Sequence, residues 1–167
     1  MKVALLTAEN STCIKKKVGA VLVWNGKILA TGYNGAPSKI PHCTRDSCLR
    51  ILDRDNKNPD LCRGVHAEVN CIVQCAIHGT QIKKGSVIFC THFPCMSCTK
   101  LIINAGIDTI VYLNDYEMDN YEKMDIISQS HLEIYKYIEE DGKCPYLEKF
   151  SAKKKLKELM NSILKSK

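Results

Sequence analysis

The chain has 167 residues, with 24 Lys+Arg against 18 Asp+Glu and ten cysteines. That length suits one ordinary domain that buries a core without disulfide staples, and 45% hydrophobic with 25% charged residues excludes long disorder and collagen-like repeats. No apolar run is long enough for a membrane span, and Glu9 interrupts the short N-terminal apolar stretch, so neither an anchor nor a secretory signal is expected.

The net charge of +6 is confined to one end. Residues 1–142 hold 16 Lys+Arg and 16 Asp+Glu, whereas residues 143–167 hold eight Lys and two Glu. The body is neutral and the tail basic, which disfavours a nucleic-acid-coating surface on the body.

In chain order, Val3, Leu5, Leu6 and Ala8 give residues 1–10 the pattern of a short helix. Val18 to Tyr33 reads as a hairpin, because two β-rich runs flank Asn25-Gly26, a strong two-residue turn signal. Asn34 to Gly64 has no periodicity and holds three prolines and Cys43, Cys48 and Cys62. A loop of that length is uncommon unless it is functional or held by something. Val65 to His78 predicts a helix, with Val69, Ile72, Val73 and Ala76 as its apolar stripe and Gly79 as its stop. Then follow a buried strand over Ser86–Thr91, a turn at Pro94, a helix over Met96–Asn104 ended by Gly106, and a buried strand over Thr109–Leu113. A helix over Tyr121–Ser130, a strand over Leu132–Ile138 and a Lys-rich amphipathic helix over Leu147–Leu164 complete the chain. A leading hairpin followed by alternating helices and strands predicts a three-layer α/β sandwich with a mixed five-stranded sheet.

One constellation carries chemistry. His66-Ala67-Glu68 is followed, 27 residues after Glu68, by Cys95 in Pro94-Cys-Met-Ser-Cys98. His66, Cys95 and Cys98 make three zinc ligands and leave a fourth position for water, the composition of a catalytic site. Cys95 and Cys98 open a helix, whose N-terminus favours thiolate charge. Glu68, two residues on from His66, is placed to lie beside the metal without being a ligand; in the zinc nucleobase deaminases that this pattern resembles, the matching carboxylate takes a proton from water and passes it to a ring nitrogen. A closed zinc knuckle is the competing reading, but such a site has no need of Glu68. The joined H-x-E and P-C-x-x-C pattern is the signature of zinc nucleobase deaminases.

With Ser-Thr-Cys13, Val-Gly-Ala20, Gly32-Tyr-Asn-Gly-Ala-Pro37, His66-Ala-Glu-Val-Asn70, Thr91-His-Phe-Pro-Cys95 and Ala105-Gly-Ile107, the sequence resembles the deoxycytidylate (dCMP) deaminase branch of the cytidine/deoxycytidylate deaminase superfamily over residues 10–115. The resemblance implies a cytidine-deaminase-like fold and zinc-dependent hydrolysis of dCMP to dUMP and ammonia, feeding thymidylate synthesis; with no signal expected, a cytoplasmic setting is the default. It implies that Asn34 contacts the nucleotide, that Phe93, beside His92, packs on the base, and that Tyr116 lies near the substrate. It also implies a homo-oligomer, hexamers being common in the family, and regulation by dCTP and dTTP. On this reading residues 1–142 form the deaminase domain and residues 143–167 a basic amphipathic extension. The first helix is shorter than the family's. Deamination of deoxycytidine, cytosine or tRNA adenosine, or a non-enzymatic zinc-stabilised nucleotide-binding role, are the alternatives.

Cys13, Cys43, Cys48 and Cys62 lie outside that constellation. Some family members hold a second, structural zinc near this region, and the positions of Cys13 and Cys43 look like theirs. Four cysteines on one ion, with His42 as a substitute ligand, would order the aperiodic loop; four separate thiols are the alternative. Cys71, Cys75 and Cys90 read as core, and Cys144 has no assignment.

Overall fold

The structure, a computed structural model, describes residues 1–53 and 62–165. The remaining residues, 54–61 of the aperiodic stretch and Ser166 and Lys167 of the tail, lie outside it.

Chain order is α1 (Lys2–Ala8), β1 (Gly19–Trp24), β2 (Lys27–Tyr33), α2 (Leu49–Leu52), α3 (Ala67–Ile77), β3 (Val87–His92), α4 (Met96–Asn104), β4 (Thr109–Asn114), α5 (Tyr121–Gln129), β5 (Glu133–Ile138), β6 (Tyr146–Lys149) and α6 (Ala152–Lys165). The Asn25-Gly26 turn has φ of 48° and 72°, the doubly left-handed backbone that matches strand twist in a tight hairpin. The sheet runs β2-β1-β3-β4-β5-β6. β1 is antiparallel to both β2 and β3, β3-β4-β5 are parallel, and β6 returns antiparallel to β5.

The mixed sheet and flanking helices match the expectation; the strand count does not. The sixth strand, Tyr146–Lys149, takes in Leu147–Lys149, the expected start of the last helix, which instead begins at Ala152. All four β6 residues are exposed, so no alternating burial marks them as a strand. β6 is held by its ladder to β5 and by a Lys149–Glu133 ion pair at 2.9 Å.

Helices flank both faces. α1 lies against Gly19 of β1, where an added Cβ would stand 2.2 Å from the Ala4 carbonyl. α3 lies against Gly32 of β2, where a Cβ would meet the Ala67 carbonyl at 2.3 Å and the Cys71 nitrogen at 2.4 Å. Gly32 pairs with Ala20, the neighbour of Gly19. Successive strand residues face opposite sides, so α1 and α3 cover opposite faces. The core on the α3 side joins Ala20 and Leu22, Ala67, Cys71 and Cys75 of α3, Ile88 and Cys90, Ile102 of α4, Ile110 and Tyr112, Met124 and Ile127 of α5, Ile134, and Ala152 of α6. Cys71, Cys75 and Cys90 are thus core thiols, as their spacing predicts. Each wholly buried Ile contributes about 1.5–3 kcal/mol.

Candidate active site

Two features bring the site together. A bridge between Gly35 and Val65, with N–H···O distances of 3.1 and 2.8 Å, closes the long loop at its base and sets His66 beside the end of β2. The turn after β3 then carries Pro94 and Cys95 to the same end of the sheet. His66 and Cys95 are the N-cap residues of α3 and α4, both with extended backbone. Neither side chain caps its own helix, so both are free to face a ligand. The positive ends of two helices therefore converge on one point, where they stabilise thiolate.

The His66 Nδ1 atom lies 3.4 Å from Cys95 Sγ and 3.3 Å from Cys98 Sγ, and the three ligand atoms all stand within 4.8 Å of one another. In a zinc tetrahedron with bonds of about 2.0–2.3 Å, ligand atoms stand roughly 3.5 Å apart. One imidazole and two thiols at that spacing form a donor set that fits zinc. Hydrogen bonds from Cys98 and His66 hold the Cys95 thiol well below the usual range, against burial. The same contact with Cys95, together with burial, pushes Cys98 up. His66 is raised chiefly by its hydrogen bond to Cys95.

Glu68, in the first turn of α3, is 4% exposed. Burial raises its carboxyl pKa, partly offset by its own backbone N–H, by His66 and by a hydrogen bond from Cys98. A carboxyl poised in this way beside a metal-ligand cluster suits a proton carrier.

These groups line a cavity of about 230 Å³ whose wall includes Asn34, His66, Glu68, Phe93, Cys95 and Tyr116. Every residue expected at the catalytic metal or the substrate therefore borders one space, apart from Cys98, which is buried just behind it. Asn34 has committed its side chain: Oδ1 accepts from Ser11 Oγ (2.6 Å) and the Val18 N–H (2.8 Å), while Nδ2 donates to the Lys16 carbonyl (2.8 Å). It shapes the wall by fixing residues 16–18. Phe93 is buried and meets Tyr112 edge-on at 4.8 Å and Phe150 at 5.6 Å, which fixes its ring from behind. Tyr116 lies under Lys16, whose Nζ is 5.2 Å from the ring centroid. Burial and Glu117 push the Tyr116 hydroxyl up to about 12, so it stays protonated.

The mouth of the cavity adds residues the sequence did not single out: Lys15, Lys16 and Arg50. Lys15 Nζ donates to the Arg50 carbonyl at 3.4 Å, and Arg50 Nε is buried with no hydrogen-bond partner among the described residues. Lys15-Lys16 is visible as a basic pair, but such pairs are ordinary on surfaces. Arg50 sits on the short helix α2, inside the stretch whose sequence shows no periodicity. A larger hollow, about 420 Å³, lies between Tyr112, Phe150 and α6. It holds no thiol or imidazole, and its Lys136 and Lys155 already pair with Asp115 (2.6 Å) and Asp119 (2.7 Å).

Cys13 and Cys62 border the catalytic cavity. Cys13, Cys48 and Cys62 are all near enough to Cys43 to raise its thiol further, after burial. Among the described residues, the group with three or more ligand atoms within 4.8 Å is His66, Cys95 and Cys98, so these four thiols share a neighbourhood at wider separation. His42 borders a different hollow, with Asn70 and His78.

The family model for the cytidine and deoxycytidylate deaminase zinc-binding region matches residues 1–114. The chain is 35% identical over 119 residues to the deoxycytidylate deaminase of Saccharomyces cerevisiae, covering 71% of this chain and 38% of that protein. It is 40% identical over 116 residues to ComE operon protein 2 of Bacillus subtilis, covering 70% of this chain and 58% of that protein. The chain thus spans less than two thirds of either relative's own length. The crystal structure of dCMP deaminase from cyanophage S-TIM5 in complex with dCMP and dUMP superposes with a TM-score of 0.65 at 36% identity, covering 81% of this chain and 91% of that one. With the H-x-E and P-C-x-x-C halves folded onto one donor cluster inside the matched region, the chain belongs to the cytidine and deoxycytidylate deaminase family.

Proposed function

We propose that the protein hydrolyses dCMP to dUMP and ammonia in a zinc-dependent reaction, as a cytoplasmic enzyme. The observation that carries this reading is the buried Glu68 beside the His66, Cys95 and Cys98 donors, under a mouth bearing three cations. Zinc held by those donors supplies the Lewis acidity that lets water ionise near neutral pH. Glu68 takes a proton from the attacking water and passes it to the ring nitrogen beside C4. A second transfer to the amine lets ammonia depart, so C4 gains oxygen and loses nitrogen. Phe93 backs the wall against which a planar base can rest. Lys15, Lys16 and Arg50 suit a 5′-phosphate, and the guanidinium, with its fixed fork of N–H donors, is the strongest phosphate partner of the three.

Ammonia release from dCMP, CMP, deoxycytidine, cytosine and a tRNA anticodon stem tests the substrate class. Turnover of dCMP well above the others is expected; preference for the tRNA stem, cytosine or deoxycytidine would overturn it. Arg50→Met is expected to raise the KM for dCMP about tenfold through loss of a charged hydrogen bond, with the weaker turnover of deoxycytidine unchanged.

The proposal extends to a structural zinc on Cys13, Cys43, Cys48 and Cys62, supported by their shared neighbourhood and by the turn that the Cys48 N–H closes on the Thr44 carbonyl at 3.0 Å. Metal analysis is expected to give two zinc ions per chain, falling to one in Cys48→Ser or Cys62→Ser. A single ion, unchanged by those replacements, would remove this site. It extends also to a homo-oligomer, hexameric as is common in the family and regulated by dCTP and dTTP. Exposed Val3 and Leu6 on α1 and Ile163 and Leu164 on α6 support association. Among the described residues no helix is long and apolar enough to cross a membrane.

A further inference from the structure

We propose that Lys123, on α5, is a positioning residue that ties the two walls of the catalytic cavity together through its ammonium group. Lysine is among the residues least often fully buried, yet Lys123 is 0% exposed. Its Nζ donates to the Pro94 carbonyl at 3.3 Å and to the Tyr116 carbonyl at 3.2 Å, and stands 4.7 Å from the centroid of the Phe93 ring. Three N–H bonds thus meet two carbonyls and one π-face, which satisfies the donor set of an ammonium.

The partners give this contact its meaning. Pro94 immediately precedes the ligand Cys95, and Tyr116 stands in the second lining segment, beyond β4; both carbonyls belong to irregular backbone between elements. The root of the lysine is itself anchored, because its N–H donates to Asn120 Oδ1 at 2.8 Å at the start of α5. The segment 115–120 contains Glu117 at φ 48°, a left-handed conformation uncommon for glutamate, so its path needs support from outside. Burial alone pushes the ammonium pKa down, while Glu117 and Cys95 push it up. A purely structural role would cost fold stability throughout when the lysine is removed. A positioning role releases the two walls and weakens substrate binding more than the chemical step.

The inference rests on the dCMP reading, and the experiment separates the two. Lys123→Met keeps the chain length and removes the charge. Expected are an unchanged zinc content, a KM for dCMP raised about tenfold through loss of buried charged hydrogen bonds, a kcat within about threefold, and faster amide hydrogen exchange confined to residues 93–96 and 115–120. Unchanged KM, or exchange raised equally along the chain, overturns the proposal. Lys123→Ala provides the second variant, and decides the matter where the methionine variant does not fold. Propylammonium restores its KM and propan-1-ol does not; equal rescue by the alcohol, or no rescue, overturns the role of the charge. Failure of the wild-type protein to turn over dCMP would sink the substrate reading, whereas the exchange pattern still tests the tie between the walls.

Discussion

Glu68→Gln is expected to lower dCMP turnover by about 10³-fold and to keep the zinc proposed on His66, Cys95 and Cys98. Gln fills the same buried space and retains a hydrogen-bonding group, but it cannot accept a proton from water and deliver it. The competing view is that Glu68 merely complements the positive end of α3, a first-turn interaction worth about 0.3–1 kcal/mol of stability. That view predicts a small change in thermal stability and a nearly unaltered rate. Steady-state ammonia release alongside metal analysis distinguishes them, and full activity in the Gln variant would end the proposed mechanism. Loss of both metal and activity would assign Glu68 to holding the donor cluster together.

Gly32→Ala is expected to destabilise the fold by about 3 kcal/mol, the upper range for overpacking, and to abolish most turnover. The clash is with backbone: the new Cβ would stand 2.3 Å from the Ala67 carbonyl and 2.4 Å from the Cys71 nitrogen. No side-chain rotation relieves it, so α3 moves away from β2 as a unit. His66 and Glu68 lie at the first turn of that helix and move with it, away from Cys95 and Cys98 on α4. A displacement of even half an ångström degrades a constellation whose geometry is this close. Thermal melting is expected to show a midpoint lower by roughly 6–12 °C for a protein of this size. A variant with wild-type melting and turnover would show that the helix and strand are not seated as tightly as this.

The chemistry was legible in the sequence because it is encoded locally. His66 and Glu68 share one helical turn, and Cys95 and Cys98 share another, so two short patterns suffice to describe the cluster once the sheet brings them together. Asn25-Gly26 was equally readable, because few residue pairs take the left-handed backbone that its tight turn requires. What escaped detection depends on distant packing. Lys123 on an amphipathic helix reads as solvent-facing, and its contacts with residues 93–94 and 116, far from it in pattern, make it interior. Arg50 reaches the cavity from a stretch with no period to interpret. Asn34 has its side chain occupied by Ser11, Lys16 and Val18, partners that no spacing rule connects to it. β6 has no buried side, so its strand identity comes solely from the ladder to β5.

The order of strands also separates the local from the long-range contacts on which the site depends. β2 follows β1 across two residues, so the hairpin closes on the microsecond scale. Ala20 of β1 pairs with Cys90 of β3, 70 positions later, and that contact carries the loop-closure entropy of the intervening chain. α3, bearing His66, docks on the hairpin, whereas Cys95 is delivered by the turn after β3. Donors on either side of so distant a pairing meet only after it forms. The donor cluster is thus completed by a pairing 70 positions apart in sequence, and neither of the two local motifs assembles it alone.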